Sequence, residues 1–208
     1  MSEYETIYKH YEKCYDRHGD NHMGVDWPDA AQARLRYRVM LGMVTGPPCT
    51  LLDLGCGLSH LYEFMTETEQ YAGVEYAGLD ISEKFINASK LKYPDNRYFH
   101  QDCLKTPLGV HFDYIIMNGV FTEKREMSQE DMYDFFTRLL LQVYPCADRG
   151  LAFNVMSKQV DWERQDLFHL PLDDLAWFLH RNQMRNFVIR NDYGLYEYTV
   201  YVYREPRP

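Results

Sequence analysis

The stretch TLLDLGCGLSHLYEF, residues 50–64, decides the fold. Leu51, Leu52 and Leu54 around Asp53 read as the end of a buried strand, and Gly55 and Gly57 as a tight turn into a helix. Strand, glycine turn and helix N-terminus make a cradle for a nucleotide-like ligand, because glycine lets the backbone come close and the helix end offers unpaired N–H groups. The third glycine of the dinucleotide fingerprint is missing after Gly55 and Gly57, which counts against a pyrophosphate ligand.

Outward from this turn the pattern alternates. Strands are expected at 50–54, 76–81, 97–102, 112–119 and 150–157, with helices over about 58–68 and 83–91. A further helix lies in SQEDMYDFFTRLLLQVY (128–144), capped by Ser128 with acidic residues in its first turn. KQVDWERQDLFHLP (158–171) reads as irregular, and Pro171 opens another helix. The final run, 186–205, is β-rich on both sides of Asn191, Asp192 and Gly194, so a hairpin should bring the last strand antiparallel into a parallel sheet.

Two helices precede the first strand. Tyr4, Tyr8, Tyr11 and Tyr15 recur at helical spacing, a stripe that suits either core packing or a lid facing a substrate. Gly19, Gly24 and Pro28 break this helix, and DAAQARLRYRVMLGMV (29–44) resumes the helical period.

Composition narrows the partners. The 208 residues carry a formal net charge of −9, against wide gripping of a phosphate backbone, so no nucleic acid is expected and a small molecule is. No run of about 18 apolar residues and no signal-type h-region occurs, which makes the cytoplasm the expected location, away from membranes. Five scattered cysteines form no C-x-x-C pair and predict neither a disulfide framework nor a zinc site.

Two further strand tips end in acid. Asp80 in YAGLDIS is placed to accept hydrogen bonds from a ribose diol, and Asp102 in FHQDCL from an adenine amine, with a backbone N–H of Cys103 or Leu104 for a ring nitrogen. With LLDLGCG, YAGLDIS, YFHQD and FDYIIMNGVF in this order, the sequence resembles the class I S-adenosylmethionine-dependent methyltransferases over roughly residues 50–205. The resemblance implies an α/β, Rossmann-like three-layer sandwich with a mostly parallel seven-stranded sheet and an antiparallel C-terminal strand. It implies S-adenosyl-L-methionine as cofactor, held by Asp53, Gly55, Gly57, Asp80, Ile81, Asp102, Cys103, Asn118 and Gly119, in a domain at 49–208. Residues 1–48 are then a helical extension serving as acceptor lid. WPDAAQARLRYRV is similar to a helix of small bacterial members, so Trp27, Gln32, Arg36 and Tyr37 come into view; Arg36 either forks onto the cofactor carboxylate or is a surface arginine.

Methyl transfer is an in-line displacement that asks mainly for alignment and exclusion of water. NGVF at the fourth tip lacks the Pro-Pro of nucleic-acid amino methyltransferases, and no cluster of carboxylates and Asn matches the catechol-type metal site, so no metal is expected. The acceptor pocket is expected from the irregular parts: Tyr11, Tyr15, His18, Trp27, Phe121, Thr122, Glu123, Asp161, Trp162, His169 and Tyr193. Candidate bases are His18, His22, His60, His169 and Asp161, with His18 and His169 preferred for an O or N nucleophile. The rival reading is a cofactor sensor or partner-binding protein without turnover. A monomer or homodimer is expected.

Overall fold

The computed structural model describes residues 4–207. Eight strands form one sheet: β1 (Cys49–Leu54), β2 (Val74–Asp80), β3 (Arg97–His100), β4 (Phe112–Phe121), β5 (Ala147–Ser157), β6 (His169–Leu170), β7 (Asn186–Arg190) and β8 (Glu197–Tyr203). Their order is β3-β2-β1-β4-β5-β8-β7, with β6 pairing separately with β5. β1 to β5 run parallel, and β8 enters antiparallel between β5 and β7, as the hairpin reading requires. The eighth strand, β6, was not expected: Met156 and Ser157 pair with His169 and Leu170 inside the stretch that reads as irregular.

Strand periodicity splits the core in two. Leu52, Leu54, Ile115 and Met117 point to one face of the sheet, and Leu51, Tyr114 and Ile116 to the other. The first face is covered by α5 (Gln129–Val143) and α6 (Leu172–Arg181), through Phe136, Leu140, Leu175 and Leu179. The second is covered by α2 (Ala30–Leu41) and α3 (His60–Thr66), through Tyr37, Met40, Leu41 and Leu61. Burial of each such side chain contributes about 1.5–3 kcal/mol. α4 (Glu83–Lys92) follows β2 and is capped by Ser82, whose Oγ accepts from Phe85 N–H. Ser128 caps α5 as expected, with Oγ accepting from Asp131 N–H at 3.0 Å.

The N-terminal segment crosses the sheet edge. α1 (Glu5–His18) packs Ile7 and Tyr11, with Tyr4 just before it, on the α5 side, while α2 lies in the opposite core. The link is a short 3₁₀ turn, His22–Val25, started by Asn21, whose side chain accepts from Met23 N–H and donates to the His18 carbonyl. α1 and this turn therefore pass over the carboxyl ends of the strands.

Candidate functional site

Parallel register brings the acidic tips together. Asp53 lies beside Gly78, and Asp80 beside His100, so the ends of β1, β2 and β3 share one edge. Beyond them Gly55 and Cys56 N–H both donate to the Leu79 carbonyl, and Gln101 N–H donates to the Asp80 carbonyl. Gly55 stands at φ 78°, where a Cβ would lie 2.6 Å from Val120 Cγ2, so both conformation and space exclude a larger residue. Ser59 also takes a left-handed conformation (φ 57°), and its Oγ lies 3.1 Å from the Tyr98 hydroxyl.

A cavity of about 170 Å³ opens at this edge, and its lining includes Asp53, Gly55, Gly57, Asp80, Ile81, Asp102, Cys103, Asn118 and Gly119. Asp80 Oδ2 accepts from Gly57 N–H at 2.9 Å and Oδ1 from Ser82 N–H at 2.8 Å. Burial outweighs these bonds and pushes the Asp80 carboxyl up to about 6. Asp53, buried and receiving the Tyr76 hydroxyl at 2.9 Å, is pushed up to about 7, again mainly by burial. Asp102 accepts from Leu104 N–H at 3.0 Å and from the Tyr4 hydroxyl at 2.8 Å.

The opposite wall is aromatic. Tyr4, Tyr8, Tyr11 and Trp27 face the cavity from α1 and the stretch before α2. Burial, then the nearby Glu123 charge, holds the Tyr11 hydroxyl well above the usual tyrosine range. A Cβ on Gly119 (φ 79°) would meet the Trp27 ring at 3.0 Å. The Arg36 guanidinium lies over that same ring, 4.2 Å from its centroid.

Behind this wall runs a buried relay that the sequence did not announce. Gly119 N–H donates to Asn154 Oδ1 (2.8 Å), Asn154 Nδ2 donates to Glu197 Oε1 (2.9 Å), and Arg36 Nε donates to Glu197 Oε2 (2.8 Å). Arg36 is thus a buried ion-pair partner, which removes the surface reading, though it lies behind the cavity lining. Two buried atoms find no hydrogen-bond partner among the described residues near this wall: Arg36 Nη1, a donor, and Asn118 Oδ1, an acceptor. The only sequence signal for Asn154 and Glu197 was a polar residue in an otherwise apolar strand.

Several expected residues stand elsewhere. His18 is exposed at the end of α1, where the chain turns away from the cavity. His169 is buried in β6 and donates from Nδ1 to the Ser157 carbonyl at 2.6 Å, a bond that fixes a strand pair. Phe121 is wholly enclosed by Phe135, Phe136 and Phe153. Asp161 and Trp162 are exposed and meet Tyr196 instead. Tyr15 packs on Phe85 outside the lining. His60 does line the cavity and binds Asp20 at 2.7 Å; burial lowers its basicity. No helix among the described residues is long and apolar enough to cross a membrane.

Residues 52–140 match the family model of the methyltransferase domain. A Mycobacterium tuberculosis protein provisionally named methyltransferase Rv1506c is 24% identical over 157 residues, covering 74% of this chain and 93% of its own. Magnesium protoporphyrin IX methyltransferase of Synechocystis, solved with S-adenosylmethionine, superimposes with a TM-score of 0.59 at 19% identity, over 98% of this chain and 95% of that one. The Burkholderia thailandensis 1,6-didemethyltoxoflavin N1-methyltransferase gives 0.61 at 18% identity, over 97% and 90%. The structural likenesses carry the fold, and the likeness to the methyltransferase domain covers residues 52–140, from the first strand tip into α5.

Proposed function

We propose that this chain transfers the methyl group of S-adenosylmethionine to an oxygen or nitrogen of a small-molecule acceptor. The observation that carries the reading is the convergence of Asp80, Asp102 and Asn118 on one cavity roofed by the tyrosines of α1. The two partnerless atoms supply the fit test. A methionine moiety ends in a carboxylate and an ammonium, which suit the Arg36 Nη1 donor and the Asn118 Oδ1 acceptor. Each Asp80 oxygen, already fixed by one backbone N–H, keeps lone pairs for a ribose diol. Asp102 and Cys103 would take the adenine edge, Ile81 its face, and Asp53, Gly55, Gly57 and Gly119 would shape the floor.

Bound there, the cofactor supplies a sulfonium-activated methyl group for in-line displacement. The chain's own part is alignment and dryness. Asp80 and Asn118 would hold the two ends of the donor, and Tyr8, Tyr11 and Trp27 would exclude water and position the acceptor. Small-molecule acceptors are named for the Synechocystis and Burkholderia enzymes, which supports the same class here. Neither His18 nor His169 lines the cavity, so a base-assisted route through them has little support, and an acceptor needing only positioning fits better.

Calorimetric binding of demethylated cofactor, followed by mass-spectrometric assay against phenols, amines, carboxylic acids and sugars, tests the proposal. Methylated product supports it, and absence of cofactor binding overturns it. One observation favours a second reading, a sensor without turnover: the Tyr4 hydroxyl already sits on Asp102, so ligand entry at the adenine end would move α1. Firm binding with no product across the panel selects that alternative.

A further inference from the structure

Beside the cavity, and outside its lining, three potential ligand atoms meet from two segments, and a fourth, from Glu123 on a third segment, approaches one of them. His10 and Cys14 are one turn apart on α1, so their side chains share a helix face. Asp26 ends the 3₁₀ turn in a left-handed conformation, and Glu123 follows the end of β4. The His10, Cys14 and Asp26 donor atoms all lie within 4.8 Å of one another. His10 Nε2 is 2.6 Å from Asp26 Oδ2, 3.5 Å from Cys14 Sγ and 3.9 Å from Glu123 Oε2.

We propose that His10, Cys14 and Asp26, with Glu123 as fourth ligand, form a zinc-type divalent metal site that clamps α1 and the turn to the end of β4. The donor set decides the ion. An imidazole nitrogen, a thiolate and two carboxylates suit Zn²⁺ and are a poor set for the hard, all-oxygen ions Mg²⁺ and Ca²⁺. Tetrahedral bonds of about 2.0–2.3 Å put neighbouring donors roughly 3.3–3.8 Å apart. The separations from His10 to Cys14 and to Glu123 are already close to that edge, the His10 to Asp26 hydrogen bond must open by under about 1 Å, and the Glu123 side chain must swing in toward the other two donors.

Charge argues the same way. Cys14 and Glu123 are buried, and Asp26 stands beside them. Arg125 at 3.1 Å is the cation now facing Glu123, and it also reaches Asp166 at 3.7 Å, so Asp166 can retain Arg125 when Glu123 turns to a metal. Arg17 is the other cation near Cys14. On binding, the Cys14 thiol proton leaves to solvent, and His10, whose Nε2 now donates to Asp26, releases that proton and carries its one ring proton on Nδ1, so that Nε2 is free for the metal.

Chelator-stripped, tag-free protein is titrated with Zn²⁺, Mg²⁺ and Co²⁺. A single equivalent of zinc retained through dialysis, a rise in melting temperature with Zn²⁺ but not Mg²⁺, and a thiolate-to-cobalt charge-transfer band are expected. Cys14→Ser should remove the band, and His10→Ala should weaken zinc roughly a hundredfold or more, exceeding what loss of an outer-shell partner costs. Binding of demethylated cofactor by the variants checks that they fold. Zinc lost on dialysis, or wild-type protein without the thiolate band, overturns the site whatever the variants do.

Discussion

The two halves of the cavity are built by different rules. In the half made by β1, β2 and β3, Asp80 and Asp102 sit at strand tips and are braced by backbone N–H groups a few residues away or one strand over: Asp80 by Ser82 and Gly57, Asp102 by Leu104. In the half walled by α1, Trp27 and β4, the wall is held from behind by Gly119, Asn154, Glu197 and Arg36, which span most of the chain. The first half is a property of short motifs on a parallel sheet. The second exists only once β8 has slotted in beside β5.

The largest effect should come from breaking the second half. Glu197 is 1% exposed and holds both Arg36 and Asn154. Glu197→Ala leaves a buried guanidinium uncompensated, which costs about 3–5 kcal/mol. For a chain of this size that lowers the melting temperature by roughly 6–20 °C, as read by calorimetry. A drop no larger than that of Asp80→Ala would erase the contrast, since a locally built tip would then matter as much to the fold as the long relay.

Asp80→Ala strikes the first half, with its effect on binding. Loss of hydrogen bonds from a diol to a carboxylate, at about 1.5–3 kcal/mol each, predicts affinity for demethylated cofactor at least tenfold weaker and about a hundredfold when both are lost. Calorimetric titration reads it directly. Unaltered affinity would remove the ribose assignment and leave the strand-tip acids as loop braces only.

Acidity sharpens the same point. Burial places the Asp80 carboxyl at about 6 and that of Asp53 at about 7, both above the ordinary carboxylate range near 4. Groups raised in the folded state favour folding while protonated, so their contribution is full below about pH 4 and is lost as pH rises through about 6 to 7. Ligand binding runs the other way, because the diol needs the ionised acceptor. Affinity for demethylated cofactor should be flat above about pH 7 and fall below pH 6, by up to tenfold per pH unit, and Asp80→Asn should flatten that slope. A slope unchanged in Asp80→Asn would assign the titration to another group.

The contrast also explains what was legible. Period-two apolar runs, Ser128 and the glycine turn encode local backbone choices and make the parallel strands legible, while the lining from Asp53 to Gly119 follows from the resemblance to a known family. His169 reads as a pocket residue because the stretch around it looks irregular, while pairing with β5 makes it a strand and buries it; Phe121 reads as one because the fourth strand is expected to end at 119, while β4 runs on to 121 and packs its ring among Phe135, Phe136 and Phe153. Arg36 reads either as a fork onto the cofactor carboxylate or as a surface arginine, and neither reading reaches its partner Glu197, 161 positions away. His10, Cys14, Asp26 and Glu123 are spaced like no metal motif because the sheet edge assembles them from separate segments.

The smallest effect tests where the two halves touch. Tyr4 reaches from α1 to Asp102 Oδ2, so it is a hydrogen bond between the roof and a strand tip. Tyr4→Phe keeps the ring, which stacks on Phe135 with centroids 5.1 Å apart, and removes only the hydroxyl, for about 1 kcal/mol. That energy acts on docking of α1 and leaves the sheet untouched. Hydrogen exchange should therefore quicken severalfold in residues 5–18 and stay constant in β1, β4 and β5, because local opening of the roof does not require global unfolding. Equal loss of protection in helix and sheet would mean that α1 opens only when the whole chain does, and roof and floor would then be one cooperative unit.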